Sequence, residues 1–550
     1  MRIRSRQFKR PQMLAYWLVS MVILLLAACG TSGGGVVVAP TGTSSATKPP
    51  VRQILTLPDV GSADSLPLDP AVTTDANTQM IMNMIYSGLV RDDKNFNVLP
   101  DQATWDVSAN NKVYTFHLMP NIDFSDGTPV TAQSYVYTLT RALLPQTQSP
   151  DAALYMGMIA GADAVMAGKT RTLAGVRALN SQTLQITLVQ PTPYFLQLLT
   201  NPIYFPLNEQ VINAYPQGNW ASEVAGNGVG SGPFMVQSWV HSFKMTLVPN
   251  PYYYGSKPRL TAITIVFASD ASAAFQTYRA GGYSLMWNIA PADQASAKNF
   301  PGFVRVPQLE TDAFFFNTTM PPFNNLIVRQ AFAYATDKQT LANTIMSGTV
   351  APAATILAPG MPGYQANNSG IPYDKNKAQS LLQSVYPDLT TVPPITFSYP
   401  SPALSQSEAV FLEHMWRDAL GIPIMMRAVE PTAYNDELAK NQVQFGFIQW
   451  NADYADPYDV LGQYLLSNSP NNVGQWSNSS FDQLVQAAEK TSGSARLALY
   501  QDAESLAIQD VAWLPLDHQE MAAIIPAALH GVSVNGNGLY FGDWSQVYLT

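Results

Sequence analysis

Apolar and polar residues alternate at four separated places along this chain. Tyr114, Phe116 and Leu118 flank Thr115 and His117. The pattern recurs at Leu184, Ile186 and Leu188, at Phe243, Met245 and Leu247, and at Ile263, Ile265 and Phe267. A period of two places every second side chain on one face, so each stretch predicts a half-buried strand. Between these stretches the period lengthens. Val328, Ala331, Phe332 and Ala335 fall at i, i+3, i+4 and i+7 after polar Asn324-Asn325. Phe481, Leu484, Val485 and Ala488 follow Ser479-Ser480 in the same way, and both patterns predict helices entered through a polar N-cap. Asp126-Gly127 before Pro129 marks a turn, and Thr131 is placed to cap a helix that begins at Ala132. Strands and helices mixed in this manner, without a repeat unit, indicate an α/β protein with mixed sheets.

The chain starts differently. Arg2, Arg4, Arg6, Lys9 and Arg10 precede a largely apolar run from Met13 to Ala28 that ends in Leu26-Ala27-Ala28-Cys29-Gly30. A basic start, an apolar middle and small residues before a cut site predict a secretory signal peptide over residues 1–28. The run is short for a full bilayer span, which places an uncleaved anchor second. Cys29 is the only cysteine, so it has no internal disulfide partner. Its setting resembles a bacterial lipobox, which implies that Cys29 carries lipid and tethers the protein to the extracytoplasmic face of the membrane. Residues 29–50, rich in Gly, Ser, Thr and Pro, would form the lipidated start and a flexible linker of about 25 Å coil dimension.

Composition narrows the function. With 550 residues the chain is long enough for two or three domains. Loss of the five signal cations leaves 24 Lys and Arg against 38 acids, a formal charge of −14. That balance argues against nucleic acid, whose binding rests on clustered cations. The five histidines are scattered, and no H-x-x-x-H or C-x-x-C spacing occurs, so no metal site or cofactor is indicated. Nor is there a G-x-S-x-G elbow, or a G-x-G-x-x-G after a strand. Gly168-Lys169-Thr170 ends like a phosphate loop, but Asp163 stands where the first glycine belongs. The glycine-rich patch from Gly226 to Pro233 reads as a tight turn or hinge entering a strand. No catalytic residue is predicted.

Motifs spread over the mature chain carry a resemblance. They include Ser65-Leu66-Pro67-Leu68-Asp69-Pro70, Ile85-Tyr86-Ser87-Gly88-Leu89-Val90 and, most specifically, Phe124-Ser125-Asp126-Gly127-Thr128-Pro129-Val130-Thr131-Ala132. Gly230-Ser231-Gly232-Pro233-Phe234, Asn250-Pro251-Tyr252-Tyr253, Pro321-Pro322-Phe323 with Val328-Arg329-Gln330-Ala331, and Ala452-Asp453-Tyr454-Ala455-Asp456-Pro457 follow in order. Together they resemble the extracellular solute-binding proteins of peptide ABC transporters, the family of oligopeptide- and dipeptide-binding proteins. The resemblance implies a two-lobed periplasmic-binding-protein-like fold of type II, with mixed sheets, a hinged ligand cleft and an extra domain. Lobe I would gather 51–96, 225–308 and 518–550; the extra domain 97–224; lobe II 309–517.

It also implies a binding site. Asp453 stands where the family pairs an acid with the α-ammonium of a bound peptide, and turn acids around Pro457 are the structural alternative. Trp450 falls at an aromatic wall, although a tryptophan is as readily a core residue. Gln449 to Asn451 would pair strand-like with an extended peptide, and Thr74 and Ala76 would touch its backbone from the other lobe. Departures are equally specific. Phe447, Pro431 and Leu438 replace the residues that take a short peptide's carboxylate, Asp151 replaces a tyrosine, and Asp517, His518 and Gln519 replace a tyrosine-bearing stretch.

The resulting expectation is a monomeric, lipid-anchored receptor that captures oligopeptides and delivers them to separate permease and ATPase subunits. A non-peptide solute (a nickel chelate, an opine or an oligosaccharide) is the alternative within the fold. A secreted hydrolase with paired carboxylates, for example Glu430 and Asp453, ranks below both.

Overall fold

A computed structural model describes residues 51–215, 218–540 and 543–550. The signal peptide, Cys29 and the linker therefore lie outside the described residues. Among the described residues no helix is long and apolar enough to cross a membrane.

Two four-stranded sheets and one six-stranded sheet organise the body. In the first, Ile54–Val60 runs parallel to Ala262–Ala268, which continues antiparallel through Lys244–Pro249 to Phe234–Val240. Ile263, Ile265, Met245 and Leu247 are buried, as period two requires. Phe243 is not: it is 57% exposed, because the hairpin turns at Ser242 with positive φ and the strand begins only at Lys244. The glycine patch leads into this sheet. A Cβ on Gly230 would stand 2.0 Å from the Ile85 carbonyl, so only glycine lets the backbone lie against the end of helix Ala76–Ile85.

The second sheet pairs Ala103–Val107, Val113–Leu118, Thr183–Thr187 and Val176–Asn180, all antiparallel. Tyr114, Phe116, Leu184 and Ile186 point into its core, under helix Ala132–Leu143. Thr131 precedes that helix, and its N–H donates to Ser134 Oγ at 3.2 Å. Arg141 near the helix end grips Asp69 of the early Leu-Asp-Pro motif through both terminal guanidinium nitrogens, which ties the first two units together. The apolar side chains from Phe205 to Val224, grouped with the extra domain in the sequence reading, pack in the first core.

The six-stranded sheet has the order Val350–Pro352, Trp513–Ile524, Phe303–Phe316, Phe445–Asn451, Ile395–Pro400, Ile424–Val429. The first four are mutually antiparallel and the last three parallel. Helices cover both faces. Phe314 and Phe316 meet helices Leu326–Tyr334, Lys375–Val385 and Gln406–Leu420, whereas Ala313 and Phe315 meet Ser479–Ala488 and Gly493–Gln509. The expected N-cap of the helix at Phe481 moves by one residue. Asn478 caps it, accepting the N–H groups of Ser480 and Phe481, and Ser479-Ser480 form its first turn. Arg329 donates to the Asp510 and Phe323 carbonyls and holds the helix layer together.

Two strands are longer than the rest, and they connect the cores. Phe303–Phe316 and Trp513–Ile524 pair from Phe303↔Ile524 to Pro307↔Glu520, lose register, and resume at Thr311↔His518. Met521 to Ile524 belong to the first core, while Leu514 and Leu516 belong to the third. The ladder is thus irregular between Pro307 and Thr311, where the two long strands pass from one core to the other.

Candidate functional site

The strand Phe445–Asn451 makes the site possible through the pairing it lacks. On one side it is bonded along its full length, from Phe316↔Phe445 to Glu310↔Asn451. On the other it meets its parallel neighbour only at Phe445↔Phe397 and Gly446↔Ser398. Tyr434 closes the next position: its hydroxyl donates to the Phe447 carbonyl at 2.8 Å and accepts the Phe447 N–H at 3.1 Å. Gly446 is glycine because a Cβ there would lie 2.6 Å from that hydroxyl oxygen and 2.4 Å from the Phe315 ring. From Ile448 to Asn451 no further strand follows among the described residues. The sheet therefore offers an open edge, and an extended chain can add to such an edge.

Past the strand the chain enters a loop held from three directions. The Ala452 N–H donates to the Leu309 carbonyl and the Asp453 N–H to Asp459 Oδ2, both at 2.8 Å. From the second unit, the Tyr155 hydroxyl donates to the Asp453 carbonyl at 3.0 Å. Tyr194 stacks on Tyr454 and Tyr458 at centroid distances of 5.3 and 4.9 Å, and Tyr454 itself is buried in the second core. Behind the loop, Arg496 clasps Asp456 with both terminal nitrogens, at 2.6 and 2.8 Å, and reaches Glu489 at 3.1 Å. Asp456 is thus neutralised within the protein.

Asp453 is not. Its backbone is fully engaged, yet its carboxylate has no hydrogen bond or ion pair among the described residues, and the residue is exposed. Surrounding protein strips enough water from it to push its pKa up to about 6, and the Asp151 carboxylate adds to the shift. Asp459, fully buried below, is raised well above the usual range by desolvation and then by Asp453 and Asp456. A carboxylate held in this way, open to the cleft and without a cation, gains from an ammonium group that docks on it.

Of the sequence-predicted residues, Gln449, Asn451 and Asp453 come together as exposed groups on one edge. Trp450 points to the opposite face of the strand. It is 2% exposed, packs in the core with Phe315 and Trp513, and leaves its indole N–H without a partner. In this arrangement it is a core side chain. Thr74 and Ala76 are exposed at the start of helix Ala76–Ile85, in the first unit, with Asp75 between them capping the helix through Thr78 N–H at 2.9 Å. Glu430 caps helix Pro431–Ala439 and does not pair with Asp453. Tyr155 and Tyr434 were missed from the sequence, and no local pattern marks them; Tyr194 lies in the motif Pro193-Tyr194-Phe195, which resembles the family but gave no sign of its place at this loop. Asp151 was noticed only as a departure. Among the described residues no group of three His, Cys, Asp or Glu is arranged to hold a metal ion.

Two long strands joining the core of the first sheet to that of the six-stranded sheet, with an unpaired carboxylate beside an open sheet edge, suit a protein that holds a solute between lobes. The chain belongs to the bacterial extracellular solute-binding proteins, family 5, whose middle region matches residues 98–472. It is 31% identical over 479 residues to a probable deoxycholate-binding periplasmic protein, YgiS, of Escherichia coli, covering 84% of this chain and 88% of that one. It is 28% identical over 494 residues to the oligopeptide-binding protein OppA of Bacillus subtilis, covering 86% and 89%. Among solved structures, it is similar to the unliganded open form of the periplasmic murein tripeptide-binding protein MppA. That match has a TM-score of 0.80 and 26% identity, over 91% of this chain and 98% of that one. Members of this family bind solutes and do not transform them.

Proposed function

We propose that the protein is the peptide-capturing receptor of an ABC importer, tethered by lipid on Cys29 and handing its cargo to separate permease and ATPase subunits. The observation that carries this reading is the open edge Ile448–Asn451 ending in the unpaired Asp453 carboxylate. An edge supplies main-chain hydrogen bonds that ignore side-chain identity, and the carboxylate fixes the peptide's amino end. A peptide anchored at Asp453 runs antiparallel to the strand, towards Phe447. Lobe I (51–96, 225–308, 518–550) brings Thr74 and Ala76 against its other side on closure. The extra domain (97–224) supplies Tyr155 and Asp151, and lobe II (309–517) supplies the edge. The exposed state of Gln449, Asn451, Asp453, Thr74 and Ala76 suits an open receptor awaiting ligand. An anionic amphiphile such as deoxycholate fits poorly, because its carboxylate would face Asp453 and Asp151.

Native mass spectrometry of the purified mature protein, followed by denaturation and sequencing of what is released, is expected to yield a ladder of co-purified peptides. A single non-peptide mass would transfer the function to another solute. Cys29→Ser is expected to move the protein from the membrane fraction to the soluble one. Retention after that change would mean that residues 1–28 stay as an anchor.

A further inference from the structure

On the face of the six-stranded sheet that carries Phe314 and Phe316, the apolar pattern stops and acids take over. Glu310 and Asp312 continue that face at spacing two, and Asp517 is the cross-strand neighbour of Asp312. Gln519 Nε2 bridges Asp312 Oδ2 and Asp517 Oδ1, at 3.0 Å to each. Gln449 is the other neighbour of Asp312, and its exposed amide lies beside both Glu310 and Asp312. From helix Gln406–Leu420 a further acid, Glu408, faces the group.

Among the described residues no cation forms an ion pair with Glu310, Asp312 or Asp517. Lys338 is attracted by the charge of Asp517, but its ammonium donates to the Ala353 carbonyl at 2.9 Å and forms no ion pair with any of them. Arg305 lies near Glu520, at 3.6 Å, and its terminal nitrogens donate elsewhere. Asp312 is 6% exposed, and its Oδ1 has no hydrogen-bond partner. A buried carboxylate oxygen left without a donor costs about 1–3 kcal/mol, more when charged, unless a ligand supplies one. Glu310, two residues along on the same face, is half-buried, and Gln449, the cross-strand neighbour of Asp312, is exposed. Burial raises the Glu310 carboxyl to about 7, and burial followed by the Glu310 charge raises Asp312.

We propose that Glu310 and Asp312, with Gln449, form a subsite for the basic side chain of a lysine or arginine within the bound peptide. The proposal rests on the peptide reading above and names the peptides preferred. Strand spacing supports it. A peptide on the open edge lies one strand from Gln449 and two from Asp312, about 10 Å at the usual separation of roughly 4.8 Å. An extended lysine or arginine on that face spans this gap over Gln449. Gln449 lies four positions before Asp453, so the basic residue falls about two to four positions from the amino end.

The test is calorimetry with pentaalanine carrying lysine, or norleucine, which keeps the four carbons but lacks the ammonium, at position 2, 3 or 4. At one position the lysine peptide is expected to bind about tenfold or more tightly than its norleucine twin, the scale of a charged hydrogen bond. Glu310→Gln and Asp312→Asn should each bring that ratio towards one. Glu310 is half-buried and Asp312→Asn removes a buried charge, so both variants should fold, which circular dichroism checks. Norleucine and lysine peptides that bind equally at all three positions would overturn the subsite and leave the peptide receptor standing. No binding by any of the six peptides would overturn the peptide reading, and the subsite with it.

Discussion

Asp453→Asn lowers affinity for peptides with a free amino end by about 100-fold, within the range for removing one partner of a cleft-enclosed charge pair. N-acetylated peptides, which lack the cation, lose far less. The fold should survive, because the loop is held by the Asp453 N–H on Asp459 and by the Tyr155 hydroxyl on the Asp453 carbonyl, neither of which uses the carboxylate. The same group sets a pH dependence. Its pKa stands at about 6 in the free protein, raised by desolvation and then by Asp151, with Asp459, Tyr155 and Tyr464 also facing it. Only the ionised form attracts an ammonium, so affinity is full above pH 6 and falls as pH drops through it, approaching tenfold per unit. Calorimetric titrations from pH 4.5 to 7.5 on both proteins provide the check. A wild-type profile that is flat in pH, or a variant that binds free and acetylated peptides as wild type does, would remove Asp453 from the site.

Arg496→Met carries the largest expected cost to stability. The Arg496 side chain is 7% exposed and its partner Asp456 10%, and Arg496 also serves Glu489, whose other contact is the Tyr500 hydroxyl at 2.6 Å. Methionine keeps much of the volume but strands two acids in the interior. Breaking a buried pair from one side costs about 3–5 kcal/mol, because the surviving charges keep their desolvation penalty. The midpoint of urea unfolding should fall accordingly, and peptide affinity should fall with it, since Asp456 sits in the loop that presents Asp453. Adding Asp456→Asn to Arg496→Met should recover part of the loss. An unchanged midpoint in the single variant would show that the ion pair contributes nothing to the lobe.

Much of the fold was legible because its periods are local. Period two at Tyr114 and Leu184, and period 3.6 at Val328 and Phe481, follow from how each backbone turns its side chains towards one core. Phe243 and the cap at Asn478 misled for the same local reason: a turn or a cap residue beside a periodic run looks like part of it. Asp453 was reachable through its motif. Its freedom was not, because nothing in Ala452-Asp453-Tyr454-Ala455-Asp456 tells which of the two aspartates is spent on an arginine forty residues downstream.

The sequence by itself determined the family, the α/β class and the segment Gln449–Asp453 as the place to look, since these rest on residue order and spacing. Tertiary structure alone decided that Trp450 faces the core, that Tyr155 and Tyr194 from beside the second sheet brace the loop, and that the strand's second edge is open. It alone gathered Glu310, Asp312 and Asp517 from strands some two hundred residues apart. Pairing, burial and charge depend on which distant segments become neighbours, and a linear pattern records only what each segment contributes.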